Sequence, residues 1–494
     1  MNRLVSATLF SMLLGLGTPA GSNAAGMACD TLAALALPDV RVNRSVSVDQ
    51  PVAHCKVEAL IGDRIGVSIW LPEAWNGRFV MGGSGGFVSP EDNQALRLAG
   101  GVLEAGYATA STDTGHRADG MDGSWALGDL EAIVNYGHVA MHRAVVTSKA
   151  VVAAHYGNPP GKSFFFGCSN GGRQALGEAQ RYPNDFDAII AGAPALDFPG
   201  VAASFAQITA AMYPDPAALS TPLVTPEDRR RLRAAIEAHC DANDGVKDGI
   251  LQDPAACDFD PGSLACPAGG DGDCLPEEKV AAIRRVYEGP VSGAGTLHVG
   301  FPFGAEATDA NGWGSWLTGG AAQGDPSAAF AFGVGFMRYF LYHDPAWSYV
   351  GYDWSRFERD SRPLAAVLNA ENPDLSAFRA QGGKLLMYHG WADVALSARM
   401  SIDYVERAYA LDDSSREDLR LFMMPGVLHC AGGAGPWRVD FLEALEAWHA
   451  SGVAPDELTA AYADRPGTRR LCAWPQQAHF VQGNPDTVEA WECR

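Results

Sequence analysis

Residues 163–173, Ser-Phe-Phe-Phe-Gly-Cys-Ser-Asn-Gly-Gly-Arg, restrict the folds open to this chain more than any other stretch. The apolar run Phe164, Phe165, Phe166 suits a buried strand, and it breaks at Gly167. Ala175, Leu176 and Ala179 follow at spacing that suits a helix. A strand, a sharp turn and a helix, with Gly-x-Ser-x-Gly at the bend, would hold the Ser169 hydroxyl out above a sheet. Gly167 and Gly171 would let strand and helix pack closely. Alone, the pentapeptide also fits a plain glycine-rich turn, so its meaning depends on the rest of the chain.

With 494 residues the chain exceeds one ordinary domain and can bury a large core. Its formal net charge of −22 argues against nucleic acid or an anionic membrane surface as partner. Arg3, the apolar segment 4–16 and the small residues 22–25 have the form of an export signal covering 1–25. Its apolar core is too short to span a bilayer, and no later stretch is long enough either. A secreted or periplasmic protein is expected. All ten cysteines lie after the signal, which in an oxidising compartment suggests five disulfides. No C-x-x-C pair is present, so a structural zinc site is not expected.

Residues 26–62 read as an N-terminal lead in which Cys29 and Cys55 are close enough in sequence to bridge. Strands are expected at 64–72, 78–81, 106–113 and 186–192, with a helix over 127–156. The glycines at 82–86 follow the second of these strands. They lack the lysine of a phosphate-binding loop and suit an oxyanion loop, where Gly85 or Gly86 brings a backbone N–H to a substrate oxygen. Asp113 and His116 precede the serine and are assigned to holding loops beneath the site. Strand–helix alternation stops over 198–375, a segment rich in Gly, Ala, Pro and aromatics that reads as an inserted lid. It resumes with strands at 383–393 and 420–426 and a closing helix at 437–448. Cys472 and Cys493 are expected to staple the tail.

Ser169, Asp393 and His429 occur in the order nucleophile, acid, base, each just past an expected strand, which is the order of an α/β-hydrolase triad. The fold expected is therefore α/β: a mostly parallel central sheet flanked by helices, formed by 26–197 and 376–494, with 198–375 inserted as the lid. The N–H groups of Asn170 and of Gly85 or Gly86 would receive the oxyanion. Cys168 adjoins the serine and Cys430 the histidine. If those two side chains meet, their neighbours lie within bridging distance, giving a Cys168–Cys430 disulfide.

The pattern Cys168-Ser169, Asp393, His429-Cys430 resembles the tannase and feruloyl esterase family. The resemblance extends over nearly the whole mature chain, including residues 112–116 and the large lid. It implies the Cys168–Cys430 bridge, a serine carboxylesterase mechanism through an acyl-enzyme, and substrates that are esters of aromatic acids of the feruloyl, galloyl or terephthaloyl type. Such small esters could derive from plant polymers or polyphenols.

Residues 241–250, Asp-Ala-Asn-Asp-Gly-Val-Lys-Asp-Gly-Ile, crowd three carboxylates into one loop but do not fit an EF-hand frame. The resemblance implies a structural calcium site in the lid instead, with Asp241, Asp244 and Asp248 binding by side chain and Val246 and Ile250 by carbonyl. Cys240–Cys257 would bracket it, with Cys266–Cys274 expected beyond. No organic cofactor is expected. Trp313, Trp316, Phe330, Phe332, Phe336 and Tyr339 are candidates for the wall of an aromatic pocket, and Arg338 for a clamp on a substrate carboxylate. A non-enzymatic binding protein on the same scaffold and a serine peptidase are the competing readings.

Overall fold

A computed structural model describes residues 26–88, 92–267, 273–293, 295–319 and 326–494. The export signal expected over 1–25 lies outside the described residues. Nine strands form one sheet: β1 (Val40–Val48), β2 (His54–Ile61), β3 (Ile65–Pro72), β4 (Arg78–Gly82), β5 (Ala108–Thr112), β6 (Lys162–Cys168), β7 (Ala188–Gly192), β8 (Lys384–Gly390) and β9 (Leu419–Met424). Their spatial order is β1-β2-β3-β5-β4-β6-β7-β8-β9. The first three pair antiparallel with one another, and β3 pairs antiparallel with β5. From β5 to β9 every pairing is parallel.

The strand sequences account for this layering. Parallel strands covered on both faces read as unbroken apolar runs, and alternate residues divide between the two faces. Phe79, Met81, Phe165, Ile189, Leu385 and Met387 join one buried cluster. Val80, Phe164, Phe166, Ile190 and Leu386 join another on the opposite face. Helices α1 (Ala140–Tyr156) and α2 (Asn170–Arg181) pack in the first cluster, through residues such as Val151 and Leu176.

The expected helix over 127–156 starts at Leu130, where Asp129 caps the Ala132 N–H at 2.9 Å, and passes a π-helical turn at Asn135–Val139 before continuing as α1. One expectation changes. Residues 26–62 are not merely a lead, because they supply β1 and β2, the antiparallel edge of the sheet. The outermost strand β1 is largely exposed, so its sequence carries little apolar signal.

Between β7 and β8 the chain leaves the sheet. It forms α3 (Phe198–Met212), α4 (Pro226–Cys240), α5 (Glu277–Glu288) and α6 (Phe357–Leu368), with π-helical turns at Gly314–Thr318, Phe330–Val334 and Phe336–Leu341. After β8, α7 (Ala398–Leu411) covers the first face, and α8 (Phe441–Ser451) covers the second through Phe441, Leu445 and Trp448. Disulfides join Cys29–Cys55, Cys168–Cys430, Cys240–Cys257, Cys266–Cys274 and Cys472–Cys493. No helix among the described residues is long and apolar enough to cross a membrane.

Candidate active site

Three loops at the carboxyl ends of β6, β8 and β9 bring Ser169, Asp393 and His429 to one edge of the sheet, where open α/β sheets bind ligands. Ser169 sits between β6 and α2 with φ 67° and ψ −128°, a strained conformation for a residue with a side chain. The surrounding hydrogen bonds over-determine it. Gln94 grips Cys168 from both sides: its Oε1 accepts the Cys168 N–H at 2.8 Å and its Nε2 donates to the Cys168 carbonyl at 3.0 Å. Gly171 must lack a side chain, because a Cβ there would collide with Gln94 Oε1.

His429 Nδ1 and Asp393 Oδ2 lie 2.7 Å apart. The other Asp393 oxygen accepts the N–H groups of Ala395 and Leu396 at 2.8 and 2.9 Å. Burial alone would raise the carboxyl's pKa. The charge of His429 and hydrogen bonds from His389 and His429 outweigh burial and hold it well below the usual carboxylate range. An ionised Asp393 fixes the proton on Nδ1 and leaves Nε2 free as a base. Ser169 and His429 line one cavity of about 360 Å³. The hydroxyl makes no hydrogen bond to protein among the described residues, so a proton transfer between the two side chains would require them to close to hydrogen-bond reach.

The two glycines expected as oxyanion donors differ in their surroundings. The Gly85 N–H already donates to Asp92 Oδ2 at 2.8 Å, so Gly85 does not serve as expected. Gly86, at φ +54°, lines the cavity, and its carbonyl accepts the Tyr136 hydroxyl at 2.8 Å. Asn170 opens α2, so its N–H has no acceptor within the helix. Gly86 and Asn170 are the pair left facing the cavity. Asp113 and His116 hold loops beneath: Asp113 accepts the Gly66 and Gly115 N–H groups at 2.8 Å, and His116 Nε2 lies 2.8 Å from the Phe87 carbonyl.

Of the seven residues expected in the substrate pocket, Trp316 and Phe332 line the cavity and the other five do not. Trp313 and Phe336 are fully buried in separate core clusters. Arg338 donates from Nε to the Trp347 carbonyl at 3.0 Å and lies over the Phe330 ring, so it is committed within the insertion. The apolar wall is built by Phe87, Phe198, Val201, Phe205, Trp316 and Phe332. Phe205, Trp316 and Phe332 stand 5.9 to 6.4 Å apart by ring centroids at interplanar angles of 22 to 32°.

Three positioning groups were not legible in the sequence. Asn311 donates to the His429 carbonyl at 3.0 Å while accepting the Trp316 indole N–H at 3.0 Å, and it tethers the insertion to the base. His389, fully buried, lies 3.3 Å from Asp393 Oδ2 and 2.8 Å from Ser401 Oγ. Asp92 and Arg97 pair at 3.1 Å beside the glycine loop. Only His389 left a trace, four positions before the acid at the end of an expected strand.

The acidic loop follows α4 as a 3₁₀ turn, Asp241–Asp244. Asp241, Asp244 and Asp248 each use one carboxylate oxygen to accept a backbone N–H, from Gly249, Val246 and Ile250 respectively. The other oxygen of Asp244 is buried with no partner, and burial pushes this carboxyl up to about 6. The other oxygen of Asp248 pairs with Arg469. Val246 is partly buried and Ile250 buried.

The family described as tannase and feruloyl esterase matches residues 50–494. An uncharacterised esterase of Xanthomonas campestris is 34% identical, over 98% of this chain and 94% of its own length. The mono(2-hydroxyethyl) terephthalate hydrolase of Piscinibacter sakaiensis is 33% identical, over 88% of this chain and 84% of its own. The crystal structure of feruloyl esterase B from Aspergillus oryzae superposes with a TM-score of 0.83 at 25% identity, covering 94% of this chain and 100% of that one. The chain belongs to the tannase and feruloyl esterase family and is a carboxylic ester hydrolase.

Proposed function

We propose that this protein hydrolyses esters of aromatic acids through an acyl-enzyme on Ser169. The observation that carries the reading is a single cavity lined by Ser169, by a histidine bonded to an ionised carboxylate, and by a wall of near-parallel aromatic rings. The relatives named for terephthalate and feruloyl esters support the aromatic acyl group.

Each residue then has a defined task. Ser169 Oγ attacks the ester carbonyl as His429 Nε2 takes its proton. The N–H groups of Gly86 and Asn170 receive the negative oxygen. Collapse of the tetrahedral adduct breaks the bond to the alcohol, which leaves with the proton from His429. A water, deprotonated by the same nitrogen, attacks the acyl carbonyl and releases the acid and Ser169. Asp393 stabilises the imidazolium in both halves.

The cavity supports uncharged acyl groups, hydroxycinnamoyl or galloyl, over terephthaloyl. Among the described residues lining it, Arg97 is the one arginine or lysine, and Arg97 is paired with Asp92. A carboxylate pressed against the apolar wall would lose hydration without gaining a partner. Matched assays on methyl ferulate, methyl gallate and mono(2-hydroxyethyl) terephthalate test this. The reading expects kcat/KM to be at least tenfold lower for the terephthalate ester. Equal or better turnover of that ester would overturn the preference, and no turnover of any of the three would overturn the aromatic assignment.

The acidic loop is proposed as a structural calcium site. Its donors are all oxygen, as calcium requires, and the partnerless Asp244 oxygen is the kind of atom a cation would satisfy. Asp241, Asp244 and Asp248 would hold the ion by side chain, with Val246 and Ile250 contributing carbonyls. When bound, calcium would fix the loop between α4 and the tail residue Arg469, and it takes no part in the acyl transfer. Export to an oxidising compartment is proposed on the five disulfides, with all ten cysteines paired.

A further inference from the structure

Well away from the cavity, three side chains that can bind a metal converge where α1, α2 and the loop entering β7 meet. His142 lies on α1, Glu178 in the last turn of α2 and Asp185 in that loop. One ligand atom from each lies within 4.8 Å of the other two. His142 Nδ1 and Asp185 Oδ2 are 2.6 Å apart. The His142 ring is held flat against Tyr182, with centroids 3.9 Å apart and planes 6° from parallel. The Tyr182 hydroxyl in turn meets His138 Nδ1 at 2.7 Å.

Glu178 makes the cluster unusual. It is 1% exposed, and its Oε2 is buried with no hydrogen-bond partner. A buried carboxylate in the last helical turn is doubly unfavourable, since it lacks solvation and faces the negative end of the helix dipole. The Lys149 ammonium acts on Glu178 by its charge, while its Nζ donates to the backbone carbonyl of Asp185 and not to Glu178 Oε2, which stays without a hydrogen bond. His142 and Asp185 remain partly open to solvent, which leaves an ion a way in.

We propose that His142, Glu178 and Asp185 form a binding site for a divalent transition ion of the Zn2+ type, with water completing the coordination. One imidazole nitrogen and two carboxylate oxygens are the donors that borderline ions of this class prefer, and three protein ligands leave one position for solvent. Glu178 is nine residues beyond Ser169, about 13 Å along the helix axis, so the ion sits too far away to touch the substrate. Its effect is to pin the far end of the elbow helix to α1 and to the entry of β7.

The test uses the full-length mature enzyme, purified without a histidine tag, stripped with chelator and kept in excess Ca2+ so that the acidic loop does not contribute. Equilibrium dialysis against Zn2+ at about 100 µM, with metal counted by mass spectrometry, should find close to one equivalent in the wild type. Zn2+ should raise Tm by about 2–4 °C and leave kcat/KM within twofold. Glu178→Gln and the half-exposed His142→Gln should each lose both the bound equivalent and the shift, and Co2+ should give a visible ligand-field spectrum that the variants lack. A proton shared between Glu178 and Asp185 is the competing way to neutralise the pair. Zn2+ uptake below half an equivalent in the wild type, or uptake unchanged in folded His142→Gln, overturns the metal site.

Discussion

Cys168 and Cys430, 262 positions apart in sequence, are bonded with their Cα atoms 5.9 Å apart, and each is the immediate neighbour of a residue proposed to react, Ser169 or His429. The bridge therefore sets the distance between nucleophile and base as well as closing a long loop. Removing it as Cys168→Ala/Cys430→Ala should cost about 3–5 kcal/mol of stability. It should also lower kcat at least tenfold at temperatures where circular dichroism still reports a folded protein. A folded double variant with wild-type kcat would show that the bridge does not position the site.

The oxyanion assignment separates two adjacent glycines. At Gly86 a Cβ would press on the Gly120 carbonyl at 2.5 Å, and φ +54° is strained for alanine. Gly86→Ala should displace the donor and reduce kcat by about 10²–10³ with little change in KM. Gly85 has negative φ, and its nearest neighbours would be 3.5 Å from a Cβ, so Gly85→Ala should cost less than tenfold. Steady-state kinetics on the two variants decides between them.

Substrate recognition should follow the wall and not Arg338. Phe332→Ala removes a ring 5.9 Å from Trp316 and should raise KM for a feruloyl ester about tenfold, equivalent to about 1.4 kcal/mol. Arg338→Ala should leave KM within twofold and lower only the melting temperature, through loss of its bond to the Trp347 carbonyl.

His116 gives the fold a pH dependence of definite sign. Burial lowers its pKa to about 4 despite the bond to the Phe87 carbonyl, whereas an unfolded histidine titrates at about 6.5. The folded state therefore favours the neutral ring. Its contribution is complete above about pH 6.5 and is lost as pH falls from there towards 4, by about 1–3 kcal/mol. Urea midpoints measured across that interval should fall in the wild type and change less in His116→Gln.

The parts of this architecture visible in the sequence are those with periodic or punctuating signals. β6 to β9 show as apolar runs because both faces are covered, and the turn at Gly167–Gly171 marks the elbow. β1 and β2 were hidden within an apparent lead, since the edge strand β1 is mostly exposed or half-buried and β2 alternates buried with half-buried, mostly polar positions, so neither forms an unbroken apolar run. Trp313 and Trp316 show why the pocket was not legible. They are three positions apart and equally apolar, yet one, at the cap of the π-helical turn Gly314–Thr318, is sealed in the core and the other, within that turn, faces the cavity. Gly85 and Gly86 could not be told apart either, because the contact that removes Gly85 comes from the Asp92 carboxylate.

The central claim is that Ser169 carries the acyl group. Intact-protein mass spectrometry on enzyme quenched in acid during turnover of a feruloyl ester, followed by peptide mapping, tests it most directly. The account predicts one acyl adduct per chain on the peptide containing Ser169, absent in Ser169→Ala, whose kcat falls by at least 10³. An adduct on another residue, or a Ser169→Ala enzyme that keeps substantial turnover, would contradict it.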